Sequence, residues 1–259
     1  MKIRVGHSAD PDDAFMVWAL EAGEVDTRGL ELEPVVSDIQ TLNEWALEGR
    51  LEVTALSAGA YLFVADRYLL LPHGASFGDG YGPVVVGRER VDLHEVEIVT
   101  PGRLTTARRV LELALGDAIR TRDLPFDEVL DEVLSGRADA GLVIHEGQLT
   151  YAQAGLEKLL DLGAWWQEHV ALPLPLGLVA IRRDVAQRED VSEVLLEAIE
   201  AGLANRSRAM TYAVGFGRGI DLDTAETFVS MYVNELTLDM GERGRAAVER
   251  LLGRTPEFV

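Results

Sequence analysis

Short apolar segments and amphipathic segments alternate along the chain, and this pattern predicts alternating strands and helices. Residues 2–7 alternate between polar and apolar side chains, as a half-buried strand does, and residues 13–23 have the pattern of a mostly buried helix. The scheme repeats with an extended segment at 30–36, a helix at 39–50 and a further extended segment at 51–57. This order predicts a parallel sheet that helices cover on both sides.

A glycine-rich segment at 73–89, "HGASFGDGYGPVVVGRE", interrupts this order, and a second set of strands and helices follows it. A Pro/Leu alternation then predicts an extended return, after which the remaining chain has helical patterns. We therefore predict an α/β protein of two lobes. Lobe 1 is expected to comprise residues 1–87 and 178–259 and lobe 2 residues 88–177, with a ligand cleft between them.

Composition narrows the classes of partner. A formal net charge of -20 over 259 residues disfavours nucleic acid and anionic membranes, because both need a Lys/Arg surface. No apolar run approaches the roughly 18 residues of a membrane span, and the start of the chain lacks the apolar region of an export signal. We therefore expect a cytoplasmic protein that binds a small molecule, and the sequence leaves its oligomeric state open. The chain has no cysteine, which excludes thiolate ligands and thiol nucleophiles.

His145 follows an uninterrupted apolar run, Ala140 to Ile144. In a parallel α/β sheet, ligands bind outside the carboxyl ends of the strands, and an imidazole there can exchange a proton near neutral pH. The structural alternative is that His145 only caps the following turn. Both interpretations stay open at this point.

Hydroxyl groups mark two further loops that are expected to face the cleft. Thr105 and Thr106 stand at a predicted helix start, where free N–H groups and the helix dipole suit a carboxylate. A threonine at this position can equally serve its own helix alone. Ser57 ends the third predicted strand without the flanking glycines of a nucleophile elbow, so it is expected to donate a hydrogen bond to substrate or to cap a helix.

Other polar positions have simpler explanations. Ser8, Asp10, Asp12 and Asp13 stand at the first strand-to-helix turn, where the helix dipole stabilises acids. The four remaining histidines are expected to be structural, and none forms an i, i+4 metal pair: His7, His73, His94 and His169. The aromatic pair at 165–166 is expected in the core or in a wall of the cleft.

Four segments together resemble one enzyme family: "DIQTLNEWALEGRLEVTALSAGAY", "PGRLTTA", "GLVIHEGQLTY" and "DLGAWWQEHVALPLPLG". In this order they are similar to the 1,4-dihydroxy-6-naphthoate synthases of the futalosine route to menaquinone, and the similarity covers nearly the whole chain. The resemblance implies the α/β fold of the type II periplasmic-binding proteins, in which two lobes close over a ligand cleft. It also implies a lyase that converts cyclic dehypoxanthine futalosine into 1,4-dihydroxy-6-naphthoate without a metal or an organic cofactor.

The resemblance also implies roles for individual residues. The family's catalytic base is the histidine of an "IIHE" motif, which corresponds to His145 in this chain. Its substrate-contacting residues correspond to Ser57 and to Thr105 and Thr106, and the neighbouring Ala55 and Leu56 are placed in the same substrate-binding set. Deleting the Thr106 hydroxyl is expected to weaken ligand binding without removing the base.

The first turn departs from the family. The usual "SPCPNDTF"-like stretch is "SADPDDAF" here, so that Asp10 stands in place of cysteine and Asp12 in place of asparagine. An added acid would oppose a carboxylate substrate unless it is protonated, turned away or paired.

Two other functions fit the same fold, since function depends on the site rather than on the fold. One is a non-catalytic solute-binding protein. The other is a sister enzyme such as the chorismate dehydratase of the same pathway.

Overall fold

The computed structural model describes residues 2–217 and 219–259 and contains two mixed β-sheets with helices packed around them. The strands, in chain order, are β1 Lys2–Ser8, β2 Glu31–Ser37, β3 Val53–Ser57, β4 Tyr68–Leu70, β5 Ser76–Gly78, β6 Val84–Gly87, β7 Glu97–Thr100, β8 Arg120–Asp123, β9 Ala140–Val143, β10 Glu157–Asp161 and β11 Leu174–Arg182. The first sheet has the order β2-β1-β3-β11-β4, with β5 paired to β11, and the second has the order β10-β6-β9-β7-β8.

Helices follow most strands of both sheets and form nearly all of the C-terminal part. They are α1 Pro11–Glu21, α2 Ile39–Glu48, α3 Thr106–Leu115, α4 Val129–Leu134, α5 Gly147–Thr150, α6 Leu162–Val170, α7 Arg188–Ala204, α8 Arg206–Ala213, α9 Leu222–Tyr232, α10 Glu235–Leu238 and α11 Gly241–Leu252. Short 3₁₀ segments occupy Ala58–Phe63, Phe126–Glu128 and Val214–Phe216. Within the described part of the chain, no helix has both the length and the apolar character that crossing a membrane requires.

Side-chain caps fix the starts of the helices that border the centre of the molecule. The Asp38 carboxylate accepts from the Thr41 N–H at 3.0 Å where α2 begins, and the Thr105 hydroxyl accepts from the Arg108 N–H at 3.2 Å where α3 begins. Each cap satisfies an N–H that has no partner within its own helix.

The parallel arrangement predicted for the first three strands is confirmed, but each sheet as a whole is mixed. β1, β2 and β3 are parallel, but β11 runs antiparallel to β3, and β6 runs antiparallel to both β9 and β10. The chain crosses between the sheets in these strands, and an antiparallel neighbour needs no helical crossover.

The predicted lobe boundaries stay a prediction, and near each of them lies a strand that crosses between the sheets. β6 belongs to the second sheet, although residues 1–87 were predicted for lobe 1, and β11 joins the first sheet at Leu174, within the range 88–177 predicted for lobe 2. A strand buried in either sheet has the same apolar pattern, so the sequence does not show which sheet a crossing strand joins.

One hydrophobic cluster joins the two sheets. It contains Leu56 and Leu70 of the first sheet together with Val85 and Leu142 of the second sheet. Side chains in such a cluster are close-packed, so the two sheets hold each other in place around the cleft. The carboxyl ends of β1, β3 and β9 are thereby brought to the same region, where the polar residues described next are found.

Candidate active site

A cleft lies between the two sheets. Its lining combines apolar walls with polar groups from the ends of strands and the starts of helices. The lining residues are Ser8, Asp10, Asp12, Asp13, Ile39, Ala55, Ser57, Gly74, Ser76, Pro83, Thr105, Thr106, Ala107, Ile144, His145, Gln148, Leu176, Gly177, Leu178, Phe228 and Tyr232.

His145 lies in this cleft, in the turn between β9 and α5. β9 is buried along its whole length, as its apolar sequence predicts, and its carboxyl end directs the turn toward the other sheet. His145 has a φ of 55°, in the left-handed region that is uncommon for residues other than glycine. Such strain typically costs on the order of 1–3 kcal/mol and is found most often at functional sites.

Two neighbours hold the His145 ring. Its Nδ1 lies 3.2 Å from Oδ2 of Asp10, and the ring of Phe126 meets it edge-on with 4.9 Å between centroids. The Nε2 atom is buried and has no hydrogen-bonding partner within the described residues. A buried polar atom without a partner is uncommon in folded proteins, and one explanation is a ligand that supplies the partner.

The acidic first turn also faces the cleft, and its carboxylates have protein partners. The Ser8 hydroxyl donates to Asp10, the Ser8 N–H donates to Asp13 at 2.7 Å, and the Ser76 hydroxyl donates to Asp12 at 3.1 Å. Burial, with the nearby Asp10 carboxylate, raises the pKa of Asp12 to about 6. These pairings reduce the repulsion that unpaired acids would exert on an anionic ligand.

Ser57 ends β3, the parallel neighbour of β1, and is part of the cleft lining. The buried Asn43 amide contacts both the N–H and the hydroxyl of Ser57. Ala55 also lines the cleft, whereas Leu56 is fully buried and packs in the hydrophobic cluster between the sheets. Successive strand residues point to opposite faces, which explains why Leu56 is turned away.

Thr105 and Thr106 lie where α3 begins, with the helix N-terminus at the cleft. Both hydroxyls have protein partners. The Thr105 hydroxyl donates to the Gly102 carbonyl at 2.8 Å and caps α3, while the Thr106 hydroxyl donates to the Leu176 carbonyl at 2.7 Å and accepts from the Gly59 N–H at 3.1 Å. The first N–H groups of a helix lack intrahelical acceptors. The backbone at Thr106 and Ala107 therefore offers donors to an anion.

The other histidines lie away from the cleft lining. His7 and His73 are buried behind it, where burial lowers the pKa of both rings, that of His73 to about 4. His94 is exposed, and His169 stacks on Trp165 with 4.6 Å between ring centroids. The aromatic pair at 165–166 is not part of the cleft lining, and Trp166 is in the core.

Sequence reasoning missed several residues of the cleft. Gln148, one turn after His145, approaches the Tyr232 hydroxyl at 3.2 Å, and Tyr232 and Phe228 come from α9 in the C-terminal part of the chain. Burial raises the pKa of Tyr232 well above its ordinary value, so its hydroxyl stays protonated. Gln148 was visible in the segment "IHEGQLTY", but nothing local marks α9 as a cleft element. The described residues form no group of three or more His, Asp or Glu side chains suited to a metal ion.

Known proteins are similar to this chain over nearly its whole length. The family model described as "Menaquinone biosynthesis" matches residues 3–257. A curated 1,4-dihydroxy-6-naphthoate synthase from Thermus thermophilus is 40% identical over 252 residues, which cover 96% of this chain and 92% of that protein.

Two solved structures are similar in fold. The crystal structure of a protein from Archaeoglobus fulgidus has a TM-score of 0.93 at 47% identity, covering 97% of this chain and 96% of that one. A Candida albicans gene product described as having the generic periplasmic-binding-protein fold has a TM-score of 0.73 at 11% identity, with 98% and 89% coverage. That likeness confirms the predicted fold class. The predicted family is confirmed as well: the chain belongs to the menaquinone biosynthesis family.

Proposed function

We propose that this protein is a 1,4-dihydroxy-6-naphthoate synthase, a lyase that converts cyclic dehypoxanthine futalosine into 1,4-dihydroxy-6-naphthoate. The observation that carries the proposal is His145, whose Nδ1 lies against Asp10 while its buried Nε2 has no partner in the described protein. The relation to a curated enzyme of that name at 40% identity supports the product. A cytoplasmic location stays a prediction from the sequence.

The substrate carboxylate is assigned to the start of α3. The backbone N–H groups at Thr106 and Ala107 and the positive end of the helix dipole stabilise an anion there. Ser57, on β3, adds a hydroxyl to the lining. The carboxylate is thereby kept away from the acidic turn, where Asp10 and Asp12 instead accept hydrogen bonds from hydroxyl groups.

The reaction begins with removal of a proton by Nε2 of His145. A neutral imidazole is suited to this step near pH 7, and a positioned general base typically contributes a factor of roughly 10²–10⁴ in rate. The electron pair of the broken C–H bond drives fragmentation of the ribose-derived ring, the sugar-derived fragment leaves as the second product, and formation of the aromatic naphthoate favours the product side. Closure of the two lobes excludes water and holds the base against the substrate.

The test is turnover of cyclic dehypoxanthine futalosine by the purified protein, followed by mass spectrometry of 1,4-dihydroxy-6-naphthoate. His145→Asn is the variant, because asparagine tolerates a positive φ and preserves the turn. His94→Asn is the matched control, since His94 is exposed and outside the cleft lining. We expect product from the parent and the control, and a loss of roughly 10²-fold or more in the variant.

Other outcomes distinguish the alternatives. Binding of the compound without product in the parent would favour a solute-binding protein of the same fold. Product at an unchanged rate from His145→Asn would remove His145 from the role of base. Neither binding nor product, together with turnover of chorismate, would identify the sister enzyme instead.

A further inference from the structure

We propose that Asp10 is the positioning residue of His145 and that its carboxylate fixes the tautomer in which Nε2 is the basic nitrogen. The inference rests on the proposed function for its catalytic consequence, but the contact itself is independent of the substrate. The two residues come from different sheets, Asp10 from the loop after β1 and His145 from the turn after β9. They meet only because the lobes face each other across the cleft.

The position of Asp10 at the start of α1 is the first observation. Asp10 is the N-cap residue of α1, with extended backbone angles, yet its side chain makes no capping hydrogen bond. An aspartate at this position ordinarily accepts from an N–H of the first turn. Here the carboxylate instead lies 3.2 Å from Nδ1 of His145 and accepts from the Ser8 hydroxyl. The Asp10 carboxylate therefore contacts His145 instead of capping α1.

Burial strengthens the contact between Asp10 and His145. The Asp10 side chain is 3% exposed and that of His145 is 18% exposed, so little solvent screens the contact. An ionised carboxylate can only accept a hydrogen bond, and therefore Nδ1 must carry the proton. In a neutral imidazole, the lone pair is then on Nε2, which is the buried nitrogen without a protein partner.

Backbone and ring contacts restrict the histidine further. The left-handed φ of His145 and the edge-on contact with Phe126 limit the orientations of the ring. The other titratable groups that line the cleft with His145 are Asp12 and Asp13 on α1 and Tyr232 on α9, and Glu146 follows His145 in the same turn. Asp12 is bonded to Ser76 and Asp13 to the Ser8 N–H, whereas Asp10 is the carboxylate in contact with Nδ1.

Asp10 is also a position at which this chain departs from the family resemblance, which has a cysteine there. A thiol is a weak acceptor compared with a carboxylate and carries no charge at neutral pH. The substitution therefore gives this chain a stronger means of orienting its base. The contact with Nδ1 of His145 also gives Asp10 a role as a buried carboxylate in a cleft that is proposed to bind a carboxylate substrate.

The experiment compares the parent with Asp10→Ala, using Asp117→Ala as a control because Asp117 lies in an exposed turn. Alanine removes the acceptor without removing a cap, so the fold is expected to persist, which a thermal melt checks. We expect kcat with cyclic dehypoxanthine futalosine to fall by roughly 10²-fold or more, with KM within about threefold of the parent.

A spectroscopic readout tests the tautomer directly. Two-bond ¹⁵N–¹H spectra of ¹⁵N-histidine-labelled protein, with His145 assigned by the His145→Asn variant, are expected to show the Nδ1–H form in the parent. In Asp10→Ala, the Nε2–H form is expected to increase. An Nε2–H tautomer in the parent, or an unchanged kcat in Asp10→Ala, would overturn the proposal.

The two proposals fail in different ways. A parent that shows the Nδ1–H tautomer but has no turnover would reject the proposed function while supporting the positioning role of Asp10. If Asp10→Ala does not fold, Asp10→Asn preserves the size of the side chain and removes its charge. That variant is expected to show a mixture of tautomers, and a tautomer identical to that of the parent would contradict the proposal.

Discussion

Asn43 holds Ser57 at two points: its side-chain oxygen accepts from the Ser57 N–H at 2.8 Å and its amide nitrogen donates to the Ser57 hydroxyl at 3.0 Å. Asn43 is fully buried in α2, and Ser57 ends β3. Because the amide fills an acceptor site on the hydroxyl, the hydroxyl proton is left to point into the cleft. A helix residue thus determines which hydrogen-bonding role Ser57 offers to a ligand.

The variant Asn43→Asp tests this arrangement. Aspartate accepts from the Ser57 N–H but cannot donate to its hydroxyl, so the hydroxyl is expected to turn and donate to the new carboxylate. We expect KM for the substrate to rise roughly tenfold and the free energy of unfolding to fall by about 2 kcal/mol. Steady-state kinetics and urea denaturation measure these changes. Asn205→Asp, at an exposed position, is the control, and an unchanged KM in Asn43→Asp would contradict the assigned role of Ser57.

The Thr106 hydroxyl connects three segments of the chain, since it joins α3 to the Gly59 N–H after β3 and to the Leu176 carbonyl in β11. Thr106→Val deletes both hydrogen bonds and leaves their buried partners unsatisfied. We expect a loss of about 2 kcal/mol in the free energy of unfolding, with an increase in KM because the start of α3 is displaced. Thr106→Ser keeps the hydroxyl and is expected to retain most of the stability in urea titrations. Equal destabilisation of both variants would assign the effect to the methyl group instead.

Much of the site could be predicted from local sequence, because its parts stand at the ends of predictable elements. The uninterrupted apolar run of β9 places His145 at a strand terminus, and the pattern after Pro101 places Thr105 and Thr106 at a helix start. Both conclusions use only neighbouring residues and the rule that ligands bind at the carboxyl ends of strands. The family assignment rests on the same segments and is confirmed.

The features of the site that could not be predicted from the sequence are contacts between distant segments of the chain. The pairing of Asp10 with His145 and the approach of Tyr232 to Gln148 arise from the packing of one lobe on the other. The helix dipole accounted for the acids of the first turn without any partner, so no local signal distinguished Asp10 from Asp13. The antiparallel direction of β6 and β11 could not be predicted either, because an apolar strand has the same pattern in either orientation.

The backbones of α6 and of the first crossing between the sheets are in close contact. A Cβ added at Gly163 would lie 2.1 Å from the carbonyl carbon of Tyr81 and 2.4 Å from the nitrogen of Gly82. Gly163→Ala must therefore separate two main chains, and we expect a loss of about 3 kcal/mol in the free energy of unfolding. Tyr81 packs edge-on against Tyr232 with 5.6 Å between ring centroids, so a weaker substrate affinity is expected to accompany this loss.

Gly215→Ala is the matched control for this prediction, because a Cβ at Gly215 meets nothing within 4 Å. It is expected to change the free energy of unfolding by no more than about 0.5 kcal/mol. Chemical denaturation of both variants measures the difference. Equal changes in the free energy of unfolding would mean that the backbone at Tyr81 and Gly82 can move away from α6 without a loss of stability.

Asp12 makes the stability of the protein depend on pH in a direction opposite to that of most acids. Burial raises its pKa from 3.8 to about 6, so the folded state binds a proton over a pH range in which the unfolded chain has lost it. Its contribution is fully present below pH 3.8 and is lost as the pH rises through about 6. Since one pKa unit corresponds to about 1.4 kcal/mol, the loss amounts to roughly 3 kcal/mol.

Asp12→Asn removes this loss, because an amide keeps an acceptor for the Ser76 hydroxyl and never ionises. The pKa of about 6 already includes every interaction of the folded carboxylate, that with the dipole of α1 among them, so the gain expected at pH 8 is about 3 kcal/mol. At pH 4 both proteins carry a neutral side chain here, and their stabilities are expected to agree closely. Urea denaturation at the two pH values measures the difference. A gain of the same size at pH 4 and pH 8 would show that ionisation of Asp12 is not its cause, since only a charged carboxylate incurs the penalty of burial.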